Sequence, residues 1–210
     1  MIVQILIDNK NSWAVPYGEK LCKKVSEKGI DCKLHFEHSE IISGDILFLF
    51  SCEKLFKNLG LNKHNLVVHE SDLPKGKGWS PLTWQILEGK NKIPVTLFEA
   101  AEKVDAGDIY IKKYIELDGT ELIDETKHLQ GEATIEIVME FIEKYPNIKG
   151  VPQEGVETFY PKRTPVNSKL DITKSIEEQF NLFRVCDNER YPAYFEINGR
   201  KYNVKIYKDE

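Results

Sequence analysis

Three runs of β-favouring apolar residues, Ile2 to Ile7, Asp45 to Phe50 and Asn65 to His69, are separated by segments with helical spacing or turn residues. Runs this uniformly apolar need cover on both faces, as parallel strands do, whereas a strand with one wet face alternates. Val15, Leu21, Cys22 and Val25 recur among Lys and Glu up to about Lys28, ahead of Gly29, and predict a helix with a glycine stop. Asp31 to Phe36 predicts a further strand, and Glu53 to Leu59 is long enough for a short helix. Strands and helices in alternation cross over right-handedly into a parallel sheet, with working loops at the carboxyl ends of the strands. The expected fold class is α/β, with a mainly parallel sheet flanked by helices.

The segment Glu70 to Trp79 is dense in Gly, Pro and charge and reads as a shaped loop. Ser80-Pro81 opens and Gly89 closes a short helical run. Ile93 to Phe98 and Ile109 to Leu117 read as strands that pair across an acidic, glycine-containing turn. Ile135, Val138, Met139 and Ile142 mark one face of a long helix between Glu121 and Tyr145. Beyond Pro146, Gly and Pro crowd a connector in which Phe159 and Tyr160 act as anchors. Ile172, Ile176, Phe180 and Phe183 predict a helix from about Thr173 to Val185, with Ser175 and Glu178 as a capping box. Two last strands flank Asn198-Gly199, a strong hairpin signal. The chain divides into a core, residues 1–148, and a small C-terminal extension of connector, helix and hairpin, residues 149–210.

Composition excludes several classes. A net charge of −5 over 210 residues argues against nucleic-acid binding by general electrostatic attraction. No stretch approaches the roughly 18 to 20 apolar residues of a bilayer span, and the start Met1-Ile2-Val3-Gln4 lacks a secretory pattern, so a cytoplasmic protein without membrane contact is expected. Cys22, Cys32, Cys52 and Cys186 form no CxxC pair and the five histidines are scattered, so no metal site is expected and the thiols read as packing residues.

The most informative constellation is His69 at a strand end, then Ser71, Leu73-Pro74, Gly78, Pro81 and Gly89, Val95-Thr96-Leu97, and finally Asp105, Gly107 and Ile109. Taken singly these are ordinary: a histidine after a buried strand is more often structural than catalytic, and Asp105 to Asp108 is common turn chemistry. In order and at these spacings they resemble the 10-formyltetrahydrofolate-dependent formyltransferases, well over residues 45 to 115 and loosely elsewhere. Within that family the run His69-Glu70-Ser71-Asp72-Leu73-Pro74-Lys75-Gly76-Lys77-Gly78-Trp79 is similar to sugar N-formyltransferases of pseudaminic-acid-type biosynthesis. The resemblance implies a Rossmann-like formyltransferase core and a cytoplasmic enzyme. It would move a formyl group from 10-formyltetrahydrofolate to the primary amine of a nucleotide-linked sugar, with a UDP-linked 4-amino-4,6-dideoxy sugar as best fit and surface glycan or flagellin modification as destination.

The resemblance also implies roles. His69 stabilises the oxyanion and shuttles a proton, and Asp105 orients the ring; Asp108 is the less favoured carboxylate. The pterin enters between Ser51 to Leu55 and Glu99 to Asp105, with Ser51, Leu55, Glu99 and Val104 as contacts. The nucleotide-sugar approaches over Ser71, Lys75, Gly76, Lys77, Gly78, Trp79 and Tyr160, where lysines and open glycine backbone suit a diphosphate. Trp13 and Phe159 are further stacking candidates, and Lys162-Arg163 a further phosphate contact. The family asparagine two residues before the histidine is here Val67, which donates no hydrogen bond. Asn65 shares the face of His69 but lies about 13 Å back at about 3.3 Å per residue. A backbone N–H, the Ser71 hydroxyl or water then supplies the second donor. Two other readings remain open: the same donor with glycinamide ribonucleotide as acceptor, and a noncatalytic nucleotide-sugar or folate binding module. The C-terminal helix and hairpin suit either cover of the core or a homodimer contact.

Overall fold

The computed structural model describes residues 1–209. A six-stranded sheet runs through it in the order β2-β1-β3-β4-β6-β7, formed by β1 (Ile2–Leu6), β2 (Asp31–His35), β3 (Gly44–Leu49), β4 (Asn62–His69), β6 (Lys92–Glu99) and β7 (Ile109–Glu116). The first four in that order are parallel, and β6 and β7 add antiparallel partners, with His69 opposite Thr96. The mainly parallel α/β architecture expected from the apolar runs is the one observed.

Side chains alternate across each strand, so each face has its own cluster. Val3, Ile5, Ile7, Ile46, Phe48 and Leu66 pack on one face against Leu21 and Val25 of α1 (Val15–Glu27) and Ile135, Val138, Phe141 and Ile142 of α3 (Ile123–Lys144). The other face, with Leu6, Leu47 and Leu49, is covered by Ile41, Phe56, Leu59 and Leu61 from coil and single turns. The short helix expected over Glu53 to Leu59 is absent. Asp8, just past β1, accepts the Glu53 and Lys54 N–H groups at 2.8 and 2.9 Å and the His38 ring at 3.1 Å, so the segment folds around a distant carboxylate.

The helix expected from Thr173 to Val185 is shortened to a 3-10 turn, Glu177–Gln179, and α4, Phe180–Arg184. Its periodic face is not buried: Ile172 and Ile176 are exposed. The predicted capping pair does form, each of Ser175 and Glu178 accepting the other's backbone N–H, but ahead of a single turn. Phe183, Cys186, Leu170 and Ala193 make a small cluster of their own, next to the hairpin β9 (Ala193–Ile197) and β10 (Arg200–Val204). Asn198 and Gly199, at φ 51° and 73°, form its turn as the dipeptide predicts.

A strap follows α3 across the carboxyl end of the sheet. Its strand β8 (Phe159–Tyr160) pairs in parallel with β5 (Lys77–Gly78), and Val151 bridges to Ile109. The anchors differ in kind: Tyr160 stacks on Trp84 of α2 (Pro81–Leu87), whereas the Phe159 side chain faces solvent. Among the described residues no helix is long and apolar enough to cross a membrane, and no cluster of His, Cys, Asp and Glu has the makings of a metal site.

Candidate active site

At the carboxyl end of β4 lies a cleft of about 640 Å³. His69 and Asp105, 36 residues apart in sequence, meet there with Nε2 and Oδ2 3.9 Å apart. That separation is electrostatic contact, not a hydrogen bond. The expected orienting role divides between two groups. His69 Nε2 lies 2.9 Å from the Gly76 carbonyl, which only accepts, so Nε2 carries the proton. Asp105 in turn accepts the Gly78 N–H at 2.9 Å. Phe98 packs edge-on against the imidazole, which is 7% exposed. An N–H donor and a carboxylate so placed can hold charge on a carbonyl oxygen and pass a proton.

Backbone conformation fixes the Asp105 connection. Asp105 sits at φ 52°, in the left-handed region, and a Cβ on Gly107 would collide with the Glu99 carbonyl, so the tight connection requires glycine there. Sequence reasoning missed the strap's part in this. Gln153 Nε2 donates to the carbonyls of Asp105 and Gly107 at 3.0 and 2.9 Å. Thr158 takes the Gly76 N–H on its hydroxyl at 2.8 Å and the Lys77 N–H on its carbonyl at 2.9 Å. One segment thus holds both loops, and no local pattern in Val151 to Tyr160 announces it.

The cleft wraps over the strand end. On the His69 side lie Leu49, Ser51 to Phe56, Val67, Phe98, Ala100, Ala101 and Val104. Ser51, Leu55 and Val104, expected at a pterin, all line it, and Ser51 has φ 53°. Glu99 does not: its carboxylate accepts the Asn65 N–H, the His64 Nδ1–H and the Tyr110 hydroxyl proton, turned away from the cleft. Val67 lines the cleft with a side chain that offers no donor, and the Asn65 amide is spent on the Leu59 carbonyl. Burial pushes the Cys52 thiol up to about 12, so it is no nucleophile.

The expected nucleotide-sugar contacts scatter. Gly78 and Trp79 line the cleft, and the Lys162 ammonium sits 4.4 Å above the Trp79 ring. Lys77 does not reach it. Its ammonium is buried against Glu157 at 2.7 Å, because alternation along β5 turns it under the strap. Lys75 is exposed outside the cleft, Gly76 and Ser71 are buried beneath it, and the Tyr160 hydroxyl donates to Glu88 at 2.9 Å. Arg163 is also engaged, by the Val185 carbonyl and Ser168. The opposite wall is instead built from Trp13, a stacking candidate in the sequence, from Glu70 within the motif run, and from Thr83 and five residues of α3, Ile123, Thr126, Lys127, Gln130 and Thr134, which the motif did not point to.

The loop at Ser51 to Phe56 depends on Asp8. Burial raises the carboxyl, but the N–H groups of Glu53 and Lys54 and the His38 ring outweigh it, leaving the group below the ordinary carboxylate range. A depressed folded value means stabilisation that is complete above the unfolded pKa of 3.8 and is lost as pH falls through the folded one. Asp8→Ala is expected to speed amide exchange at Glu53 and Lys54 about tenfold, the worth of one charge-assisted bond. Unchanged exchange would show that the loop stands without it.

Residues 36–142 match the formyl transferase family. The chain is 30% identical over 197 residues to the methionyl-tRNA formyltransferase of Thermotoga neapolitana, covering 86% of this chain and 61% of that one. It is 32% identical over 159 residues to that of Thermosipho melanesiensis, covering 74% and 52%. The chain thus spans between half and two thirds of these relatives. By fold it is similar to a methionyl-tRNA formyltransferase from Clostridium thermocellum (TM-score 0.83, 19% identity, 100% of this chain and 94% of that one). Similar folds also occur in HypX from Aquifex aeolicus, solved with tetrahydrofolic acid (0.80, 17%, 98% and 37%), and in a sugar N-formyltransferase from Shewanella sp. (0.74, 13%, 100% and 98%). The sequence relatives carry the methionyl-tRNA name and the sugar enzymes appear among the structures, so the resemblance holds for the family and not for one subgroup of it. On the match over residues 36–142 and the identity to full-length relatives, this chain belongs to the formyl transferase family.

Proposed function

We propose that the protein transfers a formyl group from 10-formyltetrahydrofolate to the primary amine of a nucleotide-linked deoxyamino sugar. The observation that carries this reading is the meeting of His69 and Asp105, remote in sequence, inside one cleft with an apolar arm and a polar arm. The apolar arm of Leu49, Phe56, Val67 and Phe98, with loop backbone at Ser51, suits a flat heterocycle. The polar arm along α3, with two threonines, a glutamine, a lysine and a glutamate, suits a hydroxylated ligand.

Attack of an amine on the formyl carbon leaves charge on the formyl oxygen. The His69 Nε2–H, released from the Gly76 carbonyl, donates to that oxygen, and the Asp105 carboxylate steadies the ring as it takes and returns a proton. The attacking nitrogen must lose a proton and the departing folate nitrogen must gain one. With Val67 in place of an amide, backbone N–H groups of the loop or water complete the oxyanion site.

A second acceptor has a specific observation in its favour, since the sequence relatives are named methionyl-tRNA formyltransferases. The net charge of −5 weighs the other way, because tRNA binding draws on positive surface. Incubation with 10-formyltetrahydrofolate and, separately, UDP-linked and dTDP-linked 4-amino sugars, glycinamide ribonucleotide and methionyl-tRNA separates them by mass spectrometry. A product heavier by one CO is expected from an amino sugar. Formylation of methionyl-tRNA alone would replace this acceptor, and binding of folate with no product from any amine would favour a noncatalytic module.

A further inference from the structure

Glu70 is a buried carboxyl in the cleft that the His69 and Asp105 chemistry leaves without a task, whereas Glu53 at the rim is exposed. It follows His69, the last residue of β4, and its carboxyl lies on the α3 side of the strand end beside Gln130. It is 8% exposed, lines the cleft, and among the described residues no Lys, Arg or His side chain pairs with it at ion-pair distance. The nearest cation on the same wall, Lys127, is spoken for by Asp187 at 3.1 Å and Asp124 at 3.7 Å. What faces the carboxyl is the Gln130 side-chain amide of α3, the His69 ring, and Asp105 from across the loop. Its backbone carbonyl is fixed separately by Gln85 of α2 at 2.6 Å.

A carboxylate removed from water without a cation costs several kcal/mol, and neither packing nor capping explains this one. Its position does. It sits at the head of the polar arm, where an acceptor amine must arrive, and primary amines arrive as ammonium ions at neutral pH.

Resting on the proposed amine acceptor, we infer that Glu70 receives the acceptor's ammonium group and removes its proton before the attack on the formyl carbon. The ammonium supplies the cation that Glu70 lacks. One proton passes from nitrogen to the carboxylate, giving a neutral amine and a carboxylic acid; the amine's lone pair then forms the new C–N bond. As the bond from the formyl carbon to the folate nitrogen breaks, a second proton leaves the attacking nitrogen and reaches the folate nitrogen by way of His69. Glu70 returns its own proton to solvent, so each cycle releases one proton. Burial pushes the Glu70 carboxyl above the ordinary range, against the pull of His69 and of the Gln130 amide, which makes it a stronger base than a free carboxylate.

The test compares wild type, Glu70→Gln and Gln130→Leu for formyl transfer against pH, with a UDP-linked 4-amino-4,6-dideoxy-N-acetyl sugar and methionyl-tRNA as parallel acceptors, and tetrahydrofolate binding as a control. For whichever amine is formylated, Glu70→Gln is expected to lower kcat/KM about 100-fold or more, to abolish the acidic limb of the profile, and to bind tetrahydrofolate as before. Gln130→Leu removes a donor to the charged form, so its acidic limb is expected at higher pH. A Glu70→Gln enzyme with the wild-type rate and limb overturns the inference and leaves the formyl-transfer reading intact. Loss of tetrahydrofolate binding in Glu70→Gln, or an unmoved limb in Gln130→Leu, assigns Glu70 a structural role instead. Formylation of neither amine removes the reading and this inference together.

Discussion

In the proposed formyl transfer, His69→Asn is expected to lower kcat by two to three orders of magnitude, about 3 to 4 kcal/mol of transition-state stabilisation, with little change in affinity for the proposed tetrahydrofolate ligand. The asparagine keeps a donor amide but places it short of the Gly76 carbonyl and offers no basic nitrogen, so both oxyanion contact and proton transfer suffer. Asp105→Asn should cost less, because an amide oxygen still accepts the Gly78 N–H and only the charge beside Nε2 is lost. Two groups acting as one unit are not additive, so the double variant should be little worse than His69→Asn alone. Single-turnover rates with pre-bound donor measure this. A His69→Asn enzyme turning over near the wild-type rate would remove the histidine from the chemistry.

The largest effect on stability is expected from Arg184→Met, about 3 to 5 kcal/mol, read from the urea midpoint. Arg184 is fully buried at the end of α4, with Nη2 3.0 Å from Glu121, Nη1 bonded to Asn91 at 3.1 Å and Asn181 at 3.0 Å, and Nε toward the Glu121 carbonyl at 3.4 Å. This network joins α4 to the turn before α3 and the start of β6. Methionine fills much of the volume but strands the Glu121 carboxylate, whose side chain is 11% exposed. Adding Glu121→Gln should recover a large part of the loss, since the penalty lies in the unpaired charge and not in the missing attraction. If the double variant is as unstable as the sum of the singles, the two residues are not coupled.

The apolar runs placed the strands of the sheet because a strand covered on both faces must be written in Val, Ile, Leu and Phe wherever it occurs. The dipeptide Asn198-Gly199 placed the final hairpin for a similarly local reason, the positive φ that both residues adopt. His69 and Asp105 were legible by a different route. The order and spacing of a whole loop, from His69 to Ile109, carried what neither residue carries alone. Periodicity misled where burial did not follow it: Ile172 and Ile176 are spaced as a helix face yet stay in solvent, and Glu53 to Leu59 has helical length but bonds to Asp8.

Composition, the strands of the main sheet, their parallel topology and the region of the candidate site were legible in the sequence itself, since each is written in residues that act within a few positions of one another, whereas the two-residue strands β5 and β8, which fall in segments read as loop and connector, were not. Only the tertiary structure decided that Lys77 is buried on Glu157, that Gly76 and not Asp105 bonds the His69 ring, that Gln153 and Thr158 clamp both loops, and that Glu70 stands without a cation. The Lys77 to Glu157 pair spans 80 residues, and the Gln153 bond to Asp105 spans 48. Hydrogen bonds and ion pairs across such separations impose no period on the chain between them, so charge and amide groups of this kind acquire their partners only when folding brings the strap over the strand ends.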